Sequence, residues 1–303
     1  MQPSFAVPNK VSIDTSSAQR TAHGSAWMTI SAKKQDLIYT SVSVSNVDVY
    51  TYPDLVRAGV LTGFVFPSGL CADRVGHIFI TAPGSSQIFE YAHAGVVPLR
   101  TFSDPGERPR DCSVDPLTGN LAVTNFQSMD GSAGSVSIYA KARGKAQTYA
   151  DARIFRMWYC AYDNAGNLFI DGSSGAKQGR TLEFAELSKK TATFKIITLN
   201  QTIHQPGGIQ WDGTYLAVGN GANIIYQVRV SGSRGTIVSS TKLIHASPMR
   251  QFWIQGPKLI GPTGLDYGTS SLKLWNYPTG GVFTKVIYHL LYPVGATMSL
   301  VQR

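Results

Sequence analysis

The amino-acid sequence predicts an all-β protein, a six-bladed β-propeller built from four-stranded antiparallel blades. Two observations support this fold class. The first is composition: the chain has 30 glycines, 15 prolines and 11% aromatic residues, whereas only 15% of its residues are charged. Such a composition is typical of short strands joined by many turns. The second is an internal repeat that recurs along most of the chain.

The repeat starts with a predicted hairpin. Each copy is a short apolar strand, an aspartate, a tight turn that usually contains glycine, and a second apolar strand. "PSGLCADRVGHIFIT" and "PGGIQWDGTYLAVGN" are two examples. Four clear copies and then two weaker ones follow the pattern, at residues 67–81, 109–125, 158–172, 206–220, 26–41 and 252–262.

The turn positions of these hairpins recur every 37 to 49 residues, which is the length of a propeller blade. A turn is needed in every blade, whereas a reactive group is needed once. We therefore interpret Asp73, Asp115, Asp163 and Asp212 as residues that hydrogen-bond their own turns, on the side of the ring away from the functional loops. The six turn anchors are Asp36, Asp73, Asp115, Asp163, Asp212 and Gln255.

Further strands complete each unit. A third strand with alternating apolar residues follows every hairpin, at 47–53, 87–92, 135–140, 181–186, 223–230 and 271–277. Fourth strands are predicted in four of the units, at 96–102, 193–199, 235–244 and 281–290. Four strands in each of six units define the six-bladed ring.

The two ends of the chain compete to close this ring. Residues 292–301 repeat the Pro-x-Gly strand that opens two of the blades, and no hairpin partner follows them. We expect this C-terminal strand to pair with the first blade, although residues 27–30 are an alternative for the same position. Residues 26–303 are predicted to form one propeller domain, and the polar residues 1–25 a disordered N-terminal tail.

The Pro-x-Gly strand and Asp-x-x-Gly-Asn turn, repeated over residues 26–301, resemble NHL-type repeats of six-bladed propellers. The nearest group is the uncharacterised exported bacterial NHL-like proteins, and this resemblance implies a secreted or periplasmic location. Related propellers include calcium-dependent gluconolactonases, which carry acidic or amide residues between the Pro and Gly of the repeat. Here that position holds Ser68, Gly207 or Val294, so the usual calcium ligands are missing there.

The chain is basic, with 27 Lys and Arg against 18 Asp and Glu, a formal charge of +9. This surplus favours anionic partners, either a small molecule, a sugar-like ligand or a glycan. No dense basic run occurs, which argues against specific nucleic-acid recognition. No apolar run approaches the roughly 18 residues of a transmembrane segment. We expect a monomer.

The three cysteines, Cys71, Cys112 and Cys160, exclude a framework of several disulfides because their number is small and odd. Each lies in an apolar run just before a turn. The favoured interpretation is therefore a small buried side chain, and a single disulfide bond stays open.

The loops that lead into each blade should gather around one mouth of the central channel, where propeller function concentrates. They are rich in arginine, which binds carboxylate or phosphate in a bidentate manner, and in rings that stack on apolar faces. The alternative is that these arginines point into solvent or cover neighbouring rings. The predicted ligand-binding residues are Arg108, Arg110, Arg156, Trp158, Tyr159, Arg250 and Trp253.

Candidate catalytic residues are His204 and His245, which occupy similar places in consecutive repeats. Two imidazoles facing one channel could act as an acid and base pair; ordinary loop histidines are the alternative. Asp171, Asn125 and Asn220 end second strands and could contact a ligand, with Asp171 as a general base. Metal ligands are not assigned. No cofactor motif is evident. A divalent cation bound by Asp171, Asn125 and Asn220 stays open, and the alternative is that these side chains cap their own loops.

Two functions remain in competition. The first is an exported, non-catalytic propeller that binds an anionic or carbohydrate-like ligand, or a protein partner, on its loop face. It rests on a mouth rich in arginine without a complete catalytic motif. The second is a hydrolase or lyase that acts on an anionic substrate, such as a uronate, lactone or phosphoester, at the channel mouth with a histidine for proton transfer.

Overall fold

The computed structural model contains six β-sheets arranged as the six blades of a ring, which confirms the predicted fold class. It describes residues 25–42, 45–175, 182–189, 191–264 and 270–302. Apart from Ser25, the predicted N-terminal tail lies outside the described residues. In the described part of the chain, no helix is long and apolar enough to cross a membrane.

The first three blades each contain four consecutive strands. Blade 1 contains a 3₁₀ helix, Ile30–Lys34, and the strands β1 (Trp27–Met28), β2 (Leu37–Val42), β3 (Asn46–Thr51) and β4 (Arg57–Thr62). Blade 2 contains β5 (Leu70–Ala72), β6 (Ile78–Ala82), β7 (Gln87–Tyr91) and β8 (Arg100–Ser103). Blade 3 contains a 3₁₀ helix, Ala140–Ala142, and the strands β9 (Glu107–Val114), β10 (Leu121–Ser128), β11 (Ser135–Tyr139) and β12 (Gln147–Tyr149).

In blades 2, 3, 4 and 6 the strands run in chain order from the channel outward, and blade 5 adds a fifth strand at its outer edge. Blade 4 contains β13 (Arg156–Tyr162), β14 (Leu168–Ser173), β15 (Leu182–Leu187) and β16 (Phe194–Ile196). Blade 5 contains an outer edge strand, β17 (Thr198–Leu199), and the strands β18 (Ile209–Trp211), β19 (Leu216–Gly219), β20 (Ile224–Ser231) and β21 (Arg234–Lys242). Blade 6 contains β22 (Trp253–Gln255), β23 (Lys258–Thr263), β24 (Ser271–Asn276) and β25 (Gly280–Tyr288).

The C-terminal strand β26 (Ala296–Ser299) closes the ring by pairing with β2 as the innermost strand of blade 1. The strand β1 instead pairs with β4 at the outer edge of the same sheet. The predicted hairpin at 26–41 is therefore wrong. The inner position requires a glycine, since Gly295 leaves no room for a Cβ beside Gln251, and residues 27–30 contain no glycine.

The hydrophobic core lies between neighbouring blades rather than at the centre of the ring. The described residues form six buried clusters, and each combines side chains from two adjacent sheets. One example joins Phe79 of blade 2 to Leu121 of blade 3. Burial of both faces of every blade explains why the strands carry apolar residues on alternate and on consecutive positions.

The recurring turn aspartates act as predicted. The carboxylate of each accepts a hydrogen bond from the backbone N–H of the residue two positions later in the chain, with N···O distances of 2.8 to 3.0 Å. These Asx turns reverse the chain between the first and second strands of a blade. The four aspartates with this bond are Asp73, Asp115, Asp163 and Asp212.

A disulfide bond joins Cys71 of β5 to Cys112 of β9, and so connects the innermost strands of blades 2 and 3. The alternative of a single disulfide bond, which the sequence left open, is therefore correct for Cys71 and Cys112. Cys160 of β13 is a buried free thiol, as the favoured interpretation expected.

The innermost strands meet at one buried side chain, Gln251. Its Nε2 donates to the Asp111 Oδ1 at 2.6 Å and to the Leu70 carbonyl at 2.8 Å. Its Oε1 accepts from the backbone N–H groups of Leu70 at 3.1 Å and Ala296 at 3.2 Å. The second oxygen of Asp111 accepts from the Cys160 N–H at 3.2 Å. We call these five residues the axial network, because they connect blades 1, 2, 3, 4 and 6 across the channel.

Glycines of the repeat make room for this network. Gln251 and Asp111 each lie four residues before the turn anchor of their blade. At the same position of the repeat, blades 2 and 5 have Gly69 and Gly208. A Cβ built on Gly69 would lie 2.5 Å from the Asp111 Oδ1. The small residues of some blades therefore accommodate the long side chains of others.

We expect Gln251→Ala to lower the free energy of unfolding by about 3 kcal/mol, because it leaves two backbone N–H groups and a carbonyl without their buried partner. Urea denaturation measures this change. Gln35→Ala, which alters an exposed glutamine, is the matched control. Equal stability of the two variants would show that the axial network is not a major stabilising contact.

Candidate functional site

The ring has two faces of different composition. We call the side where the innermost strands begin the loop face, and the side where the Asx turns follow them the turn face. The axial network lies between the two. The predicted ligand-binding arginines all lie before an innermost strand or in its first half, and they therefore belong to the loop face.

Arg110 of β9 is the central cation of the loop face. Its guanidinium donates to the Ser68 hydroxyl at 3.0 Å and to the Tyr159 hydroxyl at 3.3 Å. It also lies 5.5 Å from the ring centroid of Trp158 and 5.8 Å from that of Tyr159. Hydroxyl groups and rings orient this cation without neutralising its charge, so it can still bind an anion.

Arg250 and Asp171 complete the surroundings of the Tyr159 hydroxyl. Burial raises the pKa of Tyr159, and the charges of Arg110 and Arg250 oppose this shift. The charge of the Asp171 carboxyl raises the pKa of Tyr159, as burial does. The structure thus brings together four predicted site residues from three blades, with Arg110, Arg250 and Asp171 acting on the neutral phenol of Tyr159.

A β-bulge positions Asp171. The register between β13 and β14 shifts between Met157 and Tyr159, which leaves Trp158 outside the regular pairing. The Tyr159 N–H then donates to the Asp171 Oδ1 at 2.9 Å. Burial raises the pKa of Asp171 well above its ordinary value, and this hydrogen bond opposes the rise only in part. Burial thus favours the neutral acid, which does not cancel the nearby guanidinium charges.

A second arginine and ring group continues this surface. The Arg156 guanidinium lies 5.1 Å from the ring centroid of Phe126, and that ring lies 4.5 Å from the Trp158 ring. Arg108 is half-buried at the start of β9. Arg156 thus covers a neighbouring ring, which was the alternative interpretation for these arginines, while remaining part of the cationic side of the mouth.

Exposed aromatic residues lie in two neighbouring loops of the same face. Phe66 and Tyr292 each directly precede the proline of a Pro-x-Gly strand, in the loops entering blades 2 and 1. They are 56% and 49% exposed, and both have a left-handed backbone, with φ of 56° and 47°. Bulky residues rarely adopt this conformation. Exposed, strained aromatic residues in two adjacent loops indicate a contact surface.

Two predicted residues have structural partners instead. Asn125 is fully buried in blade 3, and its Nδ2 lies within 3.1 Å of acceptors on Asp104, Ser135 and Ser137. The Oδ1 of Asn220 caps its own loop, accepting at 3.0 Å from the N–H groups of Ala222, Asn223 and Ile224. Both contacts match the alternative of a structural amide.

The two histidines occupy different surroundings. His204 is exposed in the loop entering blade 5. His245 is also exposed, but its carbonyl accepts from the Lys273 Nζ at 2.7 Å and its ring lies 6.3 Å from Phe283. These contacts place His245 against the outer strands of blade 6. The acid and base pair, and with it the hydrolase or lyase alternative, stays a prediction.

Trp253 does not join the arginine cluster. It lies near the other end of the channel, in the wall of a cavity on the turn face. In the described ranges, no group of three or more His, Cys, Asp or Glu side chains is arranged to hold a metal ion. The divalent cation stays a prediction.

Sequence reasoning missed Asp111 and Gln251. Burial raises the pKa of Asp111 to about 7. Hydrogen bonds from the N–H groups of Cys160 and Cys112 and the charge of Arg110 lower this pKa, but less than burial raises it. The available signal was the repeat itself. Asp111 and Gln251 lie four residues before the turn anchor, at a position where other blades have a glycine.

No family model and no curated protein matches the chain. Solved structures with the same fold do exist. One is a chain in the crystal structure of a nidogen/laminin complex, with a TM-score of 0.67 and 11% identity, covering 88% of this chain and all of that one. Another is a protein of unknown function from Bacteroides caccae, with a TM-score of 0.62 and 12% identity, covering 88% of this chain and 99% of that one. At these identities the similarity shows the six-bladed fold alone.

We expect Asp111→Asn to change the pH dependence of stability. The pKa of about 7 in the folded state exceeds the ordinary 3.8. The stabilisation by protonated Asp111 is therefore complete below about pH 4 and is lost as pH rises through 7, by up to about 4 kcal/mol. Asn does not ionise, and at every pH its single amide oxygen can accept from Gln251 or from the Cys160 N–H, but not from both.

The free-energy difference between wild type and Asp111→Asn should therefore be largest at low pH and shrink towards pH 8. Urea denaturation across this range measures it, with the turn variant Asp163→Asn as control. A difference that stays constant with pH would contradict the assignment of Asp111 as the titrating group.

Proposed function

We propose that the protein is a non-catalytic binding propeller whose loop face holds an anionic group of its ligand or partner. The observation that carries this proposal is the environment of Arg110. Its guanidinium is held by two hydroxyl groups and two rings. A ligand carboxylate or phosphate would supply the charge that these neutral partners do not.

The surrounding charges favour the same occupant. Arg250 acts on the same Tyr159 hydroxyl as Arg110, and the raised pKa of Asp171 favours its neutral form. The net charge of +9 adds a long-range attraction for anions. An anion at this position would therefore meet the guanidinium of Arg110, and the charge of Arg250 acts on the same hydroxyl.

The exposed aromatic residues of the loop face support a partner with its own apolar groups beside the anion. Phe66 and Tyr292 project from the surface, so they fit a macromolecular surface better than a small enclosed ligand. A similar propeller fold occurs in the nidogen/laminin complex. An acidic protein segment or an acidic glycan are the two sources of anion to be compared.

Export is part of this proposal. The Cys71–Cys112 disulfide supports an oxidising compartment, because such bonds persist in secreted and periplasmic proteins and are rare in the cytosol. The resemblance to exported NHL-like proteins points in the same direction.

We expect Arg110→Gln to weaken polycarboxylate binding about tenfold, since a charge-assisted hydrogen bond contributes about 1.5 to 3 kcal/mol. Calorimetry with a hexaglutamate peptide and with oligogalacturonate separates the protein-like from the glycan-like source, and neutral maltohexaose is the ligand control. Added salt should weaken binding.

Arg229→Gln is the matched control variant, because Arg229 lies on blade 5 above the ring of Tyr215, away from the loop-face cluster. Its affinity should equal that of wild type. Failure of both polycarboxylates to bind, or equal loss in the two variants, would overturn the proposal.

A further inference from the structure

A buried carboxyl lies next in the chain to the central cation of the loop face. Asp111 follows Arg110 in β9, and it is almost fully buried, at 1% exposure. The charge of Arg110 lowers the pKa of Asp111, so the two groups are electrostatically coupled. A change in charge at the proposed anion site therefore acts on Asp111.

The hydrogen-bond partners of the Asp111 carboxyl are neutral. Its Oδ1 accepts from the Gln251 Nε2 at 2.6 Å, and its Oδ2 accepts from the Cys160 N–H at 3.2 Å. The Cys112 N–H also hydrogen-bonds to this carboxyl. A carboxylate has about four acceptor positions, so these donors leave one position for a proton. Burial favours the protonated acid and the donors favour the ionised one, and the balance lets the group exchange a proton near neutral pH.

Burial favours the uncharged forms of the titratable groups of blade 4 that surround Asp111. It raises the pKa of the Cys160 thiol and the pKa of the Asp171 carboxyl well above their ordinary values. The charge of Asp111 itself contributes to both of these shifts. Burial also raises the pKa of Tyr159. In contrast to these three groups, Asp111 changes its charge at about pH 7.

The other blades present a cation and groups that do not titrate. In blade 6, Arg250 directly precedes Gln251 and keeps its charge at any pH near neutral. Blades 1 and 2 contribute Ala296 and Leu70, whose backbone N–H groups bind the same glutamine. The disulfide bond between blades 2 and 3 does not titrate. The guanidinium groups are therefore fixed charges, and the carboxyl on β9 is the variable one.

A ligand carboxylate bound by the Arg110 guanidinium would change this balance. Its negative charge offsets the positive charge that keeps Asp111 ionised, and it also repels an ionised Asp111. Both effects raise the pKa of Asp111 in the complex above its value of about 7 in the free protein. Because coupling between two sites is reciprocal, protonation of Asp111 tightens ligand binding by the same factor.

We propose that the loop face binds an anion together with one proton, which the Asp111 carboxyl takes up from solution. The inference rests on the proposed function, because it concerns the same anion site. Binding is then strongest below about pH 6, where Asp111 is already protonated when the ligand arrives. It weakens as the pH rises through 7, since binding must then draw a proton from solution. An acidic partner is accordingly held in a mildly acidic medium and released in an alkaline one.

Calorimetry from pH 6 to 8.5 at constant ionic strength tests the uptake of this proton. The ligands are oligogalacturonate and N-acetylated hexaglutamate, whose carboxyls stay ionised throughout because their ordinary pKa is about 4. We expect the affinity to fall about fivefold across this range, a typical size for coupling between two sites. At pH 7.5, the heat of binding should differ between Tris and HEPES buffers, because the protein takes a fraction of a proton from the buffer.

Asp111→Asn separates this carboxyl from the other groups of the loop face. The variant should bind the ligand with nearly the same affinity at pH 6 and at pH 8.5, and it should take up no proton. Any contribution from the exposed His204 is common to variant and wild type, so the comparison removes it. Asp163→Asn, in the turn of blade 4, is the matched control and should keep the full pH dependence.

Carbon-13 NMR of the carboxyl groups of the wild type keeps the test decisive where Asp111→Asn fails to fold. The aspartate resonance that titrates near pH 7 should titrate at a higher pH with unlabelled ligand bound. Equal affinity at both ends of the pH range, without proton uptake, would overturn this inference and leave the anion site in place. An unchanged pH dependence in folded Asp111→Asn would also overturn it. Absence of polycarboxylate binding at every pH would overturn the proposed function and this inference together.

Discussion

The hydrogen bond between Gln251 and Asp111 is the contact on which the arrangement of the ring depends. It joins blade 6 to blade 3, which lie opposite each other in a six-membered ring, and the same glutamine holds the backbone of blades 1 and 2. The glycines ahead of β5 and β26 are needed because these long side chains fill the channel at their level. The interblade clusters surround this centre but do not replace it, since apolar packing is not directional.

The network also divides the channel into two compartments with different chemistry. Above it, on the loop face, guanidinium groups and rings surround the hydroxyl of Tyr159. Below it, on the turn face, the ends of the innermost strands and the turns that follow them line a cavity. One ring of similar repeats can therefore offer two unlike surfaces, and the closed centre keeps a ligand on one face from reaching the other.

Departures from the repeat are where this protein differs from a symmetric propeller. The position before the repeat glycine holds Ser68, Arg110, Trp158, Gly207, Arg250 and Val294 in successive blades. The arginines and the tryptophan of this set form the loop-face cluster, while the small residues leave space beside them. In the turns, by contrast, the aspartates recur with the same hydrogen bond in blades 2 to 5, and recurrence is what a purely structural role requires.

The sequence by itself determined the number of blades, five of the six hairpins and the Asx turns, because these depend on local patterns repeated along the chain. It favoured the C-terminal strand for closing the ring but left residues 27–30 in competition for that position. Tertiary structure decided which side chains meet. It buried Asn125 among Asp104 and two serines, placed His245 against blade 6, and moved β1 to an outer edge. It also paired Gln251 with Asp111, residues 140 positions apart. Such contacts depend on the closure of the whole ring, and no local pattern specifies which residues then face each other across its axis.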